Sequence, residues 1–369
     1  MSSFGQSPDH LAVEHMRRHV AYVPGEQPVG LNEFVKLNTN ENPYPPSPLV
    51  EEAVCAEISN LRLYPNPPSQ LLREEIANLH GLDSTQVIVG NGSDELLTLC
   101  VRCFCNAEKA IGISTPSYSL YENLASLQGA PLVEIPFTAD FALNPERIGS
   151  CGANLFFLTT PNAPSGVGFN NQVLTETLAC FPGILVADEA YADFAPENAI
   201  PLLANHQRLL IIRTLSKSYG LAGLRVGYAL GSPEMIALLD KAREVYNVDR
   251  LAQAAALAAI RDQDYFKSTR QKIISGREAF AGWLRNRAWD TYESQTNFLF
   301  TEPRTSTGKI GSEVASEAFD FLAERKVLTR RFGKHPLTSS RLRISIGTES
   351  EMEMVGKVIE EWLRKEQAK

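Results

Sequence analysis

The chain has 369 residues, of which 44% are hydrophobic and 21% charged, and its formal net charge is −8. That is ample for two domains or one large α/β body. The charges are mixed along the chain without a basic block, which argues against nucleic acid or an anionic membrane as partner. No run of about 18 apolar residues exists to span a bilayer. The first twenty residues lack the apolar stretch of a signal peptide.

In chain order, residues 1–47 come first, rich in Pro, Gly and Asn. They read as an ordered arm packed on a small domain or a partner subunit. A large domain is expected over 48–264. Its strands are predicted at Gln86–Val89, Ala110–Ile113, Leu132–Ile135, Asn154–Leu158, Ile184–Ala187, Leu209–Ile212 and Val226–Leu230. Several are continuous Val/Ile/Leu runs, which suits a sheet covered on both faces. Helices are predicted at Pro68–His80, Asp94–Cys105, Tyr118–Leu127, Pro233–Glu244 and Arg250–Asp262. Strands alternating with crossover-length helices give a mostly parallel α/β sheet. From about Tyr265 the texture changes to a smaller α+β unit, 265–369. It has a long helix at Lys267–Asn286, strand-like "NFLFT", "KVLTRRF" and "RLRISIG", and a closing helix at Ser350–Lys365. Cys100, Cys103 and Cys105 cluster in "CVRCFC" without a second C-x2-C or a histidine pair. They read as reduced, buried thiols rather than a metal site, and the expected compartment is the cytoplasm.

Three stretches carry chemistry. "VIVGNGSDELL" runs from strand to helix through Gly90, Gly92 and Ser93. A glycine turn opening a helix offers N–H groups to an anion, but an ordinary tight turn with Ser93 or Asp94 as N-cap fits equally. Glu95 stands where a dinucleotide fingerprint needs its third glycine. In "LVADEAYADF" the apolar strand ends in Asp188. Strand ends of an open sheet line the ligand crevice, so Asp188 is placed to hold a cationic nitrogen, with Tyr191 nearby; an N-cap Asp and a packing Tyr fit too. In "LLIIRTLSKSYGLAGLRVGY" a buried strand leads to Lys217, flanked by Ser216 and Ser218 and followed by Arg225. A lysine there can pair with an acid, bind phosphate, or bond a carbonyl carbon. Arg225 close by would depress its pKa. Thr214, Ser216 and Arg225 together suit an anion. An anion cradle, a carboxylate at a strand end and a lysine, in that order, meet the needs of pyridoxal phosphate.

With these motifs stand "YVPGEQP", "LNTNENPYPPSP", "LYPNP", "TPSYSLY", "PNAPSG", "YNVDRLAQAAA", "NFLF" and "LRISIGT". From about Tyr22 to Gly347 the chain resembles the class I/II, fold-type I, pyridoxal-phosphate-dependent aminotransferases. Within them it most resembles the histidinol-phosphate aminotransferase family. The resemblance implies a seven-stranded, mostly parallel sheet sandwiched by helices plus a smaller α+β domain, and a homodimer with shared sites. It implies that Lys217 bonds the cofactor and shuttles the proton. Asp188 would pair with the ring nitrogen, Tyr191 would bond the ring oxygen and Tyr118 would stack on the ring. Ser93, Asp94, Thr214, Ser216 and Arg225 would hold the phosphate, joined by Tyr64 from the partner subunit. Tyr22, Arg330 and Arg343 would contact substrate, a donor such as histidinol phosphate and an acceptor such as 2-oxoglutarate. A related aromatic or broad-specificity aminotransferase, or a threonine-phosphate decarboxylase, shares this scaffold. One departure stands out: where the family usually has a second Asn that contacts the ring oxygen, this chain has Ala163, with Asn162 before it. Tyr191 and a bridging water near Ala163 are expected to serve that oxygen instead.

Overall fold

Seven short apolar strands form the central sheet of the computed structural model, which describes residues 8–21, 25, 27, 30 and 33–367. In chain order the elements begin with helix α1 (Glu14–Arg18), strand β1 (Val35–Lys36) and helices α2 (Pro48–Glu57) and α3 (Gln70–His80). There follow β2 (Val87–Asn91), α4 (Gly92–Phe104), β3 (Ile111–Thr115), α5 (Leu120–Gln128), β4 (Leu132–Pro136), α6 (Pro145–Gly149) and β5 (Leu155–Thr159). Next are α7 (Asn171–Cys180), β6 (Ile184–Asp188), β7 (Leu209–Thr214), β8 (Val226–Leu230), α8 (Pro233–Ala242) and α9 (Arg250–Arg261). The rest comprises α10 (Gln263–Arg285), β9 (Asp290–Thr291), β10 (Phe298–Glu302), α11 (Ser312–Glu324), β11 (Val327–Leu328), β12 (Arg330–Arg331), β13 (Leu342–Ser345) and α12 (Glu349–Gln367).

The large sheet has the order β2-β8-β7-β6-β5-β3-β4. All pairs are parallel except those of β8, which runs antiparallel to both neighbours. Two reversals cancel, so β2 points the same way as β7 and ends at the same edge. The continuous apolar runs divide by parity between two cores, as period-2 geometry demands. Phe156, Leu158, Leu185, Ala187 and Ile211 face one core, with α3, α7 and α9. Leu155, Phe157, Val186, Leu210 and Ile212 face the other, with α4, α5 and α8.

The predicted strands are all present, most displaced by one or two residues. The shift is uneven: Gln86 belongs to a 3-10 turn, Ser84–Gln86, while β6 and β7 extend to the polar Asp188 and Thr214. Helix α10 starts at Gln263, earlier than expected, because the Asp262 carboxylate accepts from the Tyr265 N–H as its N-cap. The four-stranded sheet β12-β13-β10-β9 packs on α10, α11 and α12 around Phe280, Leu284, Trp289, Phe298 and Trp362. Leu37, Ala163, Tyr191 and Phe194 join that same cluster. β1 pairs parallel with β11, which ties the segment before the proline run to this smaller unit. Cys100 and Cys105 are buried, whereas Cys103 is only half-buried. No helix among the described residues is long and apolar enough to cross a membrane.

Candidate active site

The carboxyl ends of β5, β6 and β7 deliver Thr159, Asp188 and Thr214 to one edge of the sheet, and β2 delivers the first turn of α4 there. Loops at this edge and β12 and β13 of the smaller sheet enclose a cavity of about 630 Å³. Ser93, Asp94, Tyr118, Asp188, Tyr191, Thr214, Ser216, Lys217, Arg225, Arg330 and Arg343 all line it. Tyr64 lies on the surface, 76% exposed and stacked on Tyr246 at 4.4 Å between ring centroids. Tyr22 falls outside the described residues.

Lys217 follows β7 and donates to the Thr39 carbonyl at 3.2 Å. Its amine pKa is lowered to about 8, first by burial and next by the Arg343 guanidinium. Arg225, expected to depress it, does so as the last of the causes, with its side chain drawn toward Asp94 (3.1 Å) and Ser216 (3.4 Å). Asn42 Nδ2 bonds the carbonyls of Lys217 and Ser218, each at 3.0 Å, and so fixes the backbone that carries the amine.

Asp188 is 3% exposed. Its Oδ2 accepts from Tyr121 Oη at 2.6 Å and its Oδ1 from the Ala190 N–H at 3.2 Å. Tyr121 also meets Thr159 Oγ1 at 2.6 Å and stacks on Phe157 at 4.7 Å. Burial pushes the Asp188 pKa up to about 6. Among the described residues no Lys, Arg or His makes an ion pair with it. A buried carboxylate that faces the cavity with no cation paired to it among the described residues suits a protonated ring nitrogen.

A second cluster at this edge suits an anion. Thr214 Oγ1 bonds Ser216 Oγ at 3.0 Å, and Arg225 reaches that same Ser216 oxygen. Opposite them the first turn of α4 presents N–H groups without intrahelical partners. The approach is close because Gly227, the β8 residue paired with Thr214 and Gly90, has no side chain. A Cβ there would fall 2.5 Å from the Ser93 nitrogen and 3.0 Å from the Arg213 carbonyl oxygen. Across the cavity Arg330 and Arg343 are direct partners on antiparallel β12 and β13. Like charges so placed repel, and an anion between them removes the penalty. Arg330 has no acidic partner among the described residues, and Arg343 Nη2 donates to the Asn38 carbonyl at 2.9 Å. Carboxylate and phosphate both suit such a pair of guanidiniums.

Sequence reasoning missed two sets of residues. One is a buried ionic frame behind the site. Arg213 bonds Glu189 Oε2 through Nε (3.0 Å) and Nη2 (2.7 Å), and Asp193 through Nη1 (3.0 Å). Asp193 also accepts from Ser218 Oγ. Burial disfavours the Arg213 charge, yet Glu189, Tyr228 and Asp193 hold its pKa above the ordinary value. Its members are sequence neighbours of Asp188, Tyr191, Thr214 and Lys217, so the frame ties the ends of β6 and β7 together. The only signal was a cation at the end of an apolar run. The other set is Thr39, Asn40 and Asn42, which close over Lys217 and Tyr191 from the N-terminal segment. At the departure from the family pattern, Ala163 lines the cavity. Asn162 is fully buried and bonds Ser165 Oγ at 2.9 Å, so it does not substitute.

The aminotransferase class I and II family model matches residues 32–359. A histidinol-phosphate aminotransferase of Geobacter sulfurreducens is 45% identical over 90% of this chain and 93% of its own length. That of Syntrophotalea carbinolica is 45% identical over 92% and 96%. A solved structure of histidinol-phosphate aminotransferase from Sinorhizobium meliloti, in complex with pyridoxal-5'-phosphate, is 28% identical, with a TM-score of 0.82 over 89% of this chain and 90% of that one.

Proposed function

The chain belongs to the aminotransferase class I and II family, and from this premise we propose that it is a pyridoxal-phosphate-dependent transaminase acting on histidinol phosphate in histidine biosynthesis. The observation that carries the reading is the pairing, in one cavity, of a lysine whose pKa is lowered to about 8 with a buried, uncompensated Asp188. Relatives at 45% identity over nine-tenths of the chain support the donor.

Pyridoxal phosphate, when bound, supplies an aldehyde that bonds the donor's amino group and a protonated ring that takes up the electron pair of the cleaved Cα–H bond. The protein provides the rest. Asp188 holds the ring nitrogen protonated, and formation of that pair restores its own ionised state. Thr214, Ser216, Arg225 and the amides of Ser93 and Asp94 hold the phosphate, Tyr118 covers the ring, and Tyr191 bonds the ring oxygen. Lys217 Nζ accepts the Cα proton and releases it again. A general base works best with a pKa near the operating pH, and burial beside Arg343 brings the lysine toward that range. Arg330 and Arg343 grip the phosphate of the donor or a carboxylate of the acceptor, for which we propose 2-oxoglutarate. One arginine pair then serves two anions that are never bound together. We further assign the cofactor to a domain spanning 48–264, the smaller domain to 265–369, and the assembly to a homodimer. The exposed Tyr64 and Tyr246 stack is one site at which a second copy is expected to dock.

A single-turnover experiment tests the reading. Cofactor-loaded protein is mixed with histidinol phosphate, then with phenylalanine, and the visible absorbance of the cofactor is followed. Fast conversion with histidinol phosphate and slow conversion with phenylalanine is expected. Equal or faster conversion with phenylalanine would replace the assignment with an aromatic or broad-specificity aminotransferase.

A further inference from the structure

Asn40 is 2% exposed and uses every polar group it has. Its backbone sits at φ 55°, a left-handed conformation that Asn tolerates better than most residues. Its N–H donates to Ser345 Oγ at 3.0 Å, and its carbonyl accepts from Asn297 Nδ2 at 2.9 Å. Its side-chain Oδ1 accepts from Ser345 Oγ at 3.1 Å, and its Nδ2 donates to Tyr191 Oη at 2.8 Å. Ser345 Oγ accepts the Asn40 N–H and gives its own proton to Oδ1, which leaves the NH₂ group facing Tyr191. Tyr191 Oη is therefore an acceptor toward Asn40, and its single proton is aimed elsewhere. Its ring is held edge-on against Phe298, with centroids 5.2 Å apart. On the wall beside it stands Ala163, which has no amide to offer the cavity.

We propose that Asn40 is a positioning residue that acts through Tyr191: by donating to the phenol oxygen it commits the phenol proton to the ring oxygen of bound pyridoxal phosphate, and so compensates for the amide missing at Ala163. This rests on the cofactor reading above. Because Ser345 lies on β13 and Asn297 immediately precedes β10, Asn40 also makes the direction of that proton depend on how the smaller sheet is seated.

The test is the pH midpoint of the cofactor's visible band in the loaded protein. A hydrogen bond donated to the ring oxygen favours its anionic form and lowers the midpoint. Lys217, Asp188, Asp94, Glu41, Arg225 and Arg343 face the same cavity and are unchanged in the variants. Asn40→Ala is expected to raise the midpoint by about half a pH unit to one unit. Asn40→Asp keeps the volume but offers Tyr191 a carboxylate, which captures the phenol proton. Its new charge also acts directly, so the change is measured again in a Tyr191→Phe background. The rise is expected to be larger by about one unit when Tyr191 is present. Far-UV circular dichroism checks that each variant is folded. An unmoved midpoint in Asn40→Ala, or equal rises in the two backgrounds, overturns the role of Asn40. A wild-type protein that takes up pyridoxal phosphate without any visible band overturns the cofactor reading itself, and the inference with it.

Discussion

Replacing Arg213 with methionine is expected to cost far more stability than removing a surface ion pair. The guanidinium makes three contacts of 2.7–3.0 Å with two carboxylates, and the Glu189 side chain is 1% exposed. Methionine fills much of the space but, among the described residues, leaves Glu189 with the Ala199 N–H, at 2.5 Å, and no cation. Breaking a buried pair by removing one partner costs about 3–5 kcal/mol, against about 0–1 kcal/mol for an exposed pair. Burial already raises the Glu189 pKa, with Arg213 opposing it. Once Arg213 is gone, the folded state binds the Glu189 proton more tightly than the unfolded state does. A carboxylate of that kind lowers stability as pH rises through its folded pKa, so the deficit should shrink as pH falls from 7 toward 5. The assay is denaturant unfolding followed by far-UV circular dichroism. Adding Glu189→Gln should recover part of the loss. A deficit below about 1 kcal/mol at pH 7, or a deficit that ignores pH, would refute the view that the frame is an electrostatic unit.

Asp188→Asn should cut single-turnover rates by about 100-fold or more, as expected when a proton-holding group in the reaction is lost. It should also flatten the pH dependence of cofactor-free stability. With a folded pKa of about 6, above the ordinary aspartate value, Asp188 binds its proton more tightly when folded, so its contribution to stability falls as pH rises between the two; melting temperatures across pH 4 to 7 read this out. Lys217→Ala should still bind pyridoxal phosphate through the phosphate cradle, yet borohydride reduction should leave no cofactor mass on the chain. Full transaminase activity in that variant would remove Lys217 from its assigned place. Arg330→Ala should lower kcat/KM for histidinol phosphate about 10- to 100-fold, the cost of a charged hydrogen bond, with a smaller loss for donors lacking phosphate. Equal losses would show that Arg330 reads something other than that phosphate.

The central sheet was legible because its strands are apolar on both faces, a pattern few other structures need. The ends were less so: Asp188 and Thr214 are polar residues that still pair within the sheet, so reading strands by apolarity stops short of the residues that matter most. Lys217, Asp188 and Arg225 stood out as charges at the ends of apolar runs. Arg213 sat in the same stretch, but nothing local distinguishes a cation paired in the interior from one facing a ligand. Its partners, Glu189 and Asp193, follow the end of the neighbouring strand β6, and only the sheet register brings them close. Thr39, Asn40 and Asn42 act across more than 150 residues of chain, a separation no local pattern encodes. The Arg330 and Arg343 pairing likewise needed the antiparallel register of β12 and β13.

β8 is the strand that returns against its neighbours, and this makes alignment a chemical variable. Because β7 and β8 form a direct hairpin, Lys217 leaves one strand and Arg225 enters the other within a single connection. A slip of two residues along β8 would keep every side chain on its own face but carry Arg225 about 7 Å from its place. Gly227 blocks that slip: any neighbour moved into its position brings a Cβ into collision with the first turn of α4. With β8 held in register, an insertion between 215 and 225 has to be taken up in the loop itself, where it would move Lys217 relative to Arg225 even with the core intact. Outside Ser216, Lys217, Ser218 and Arg225, the mutational tolerance of this loop should follow its length more closely than its composition.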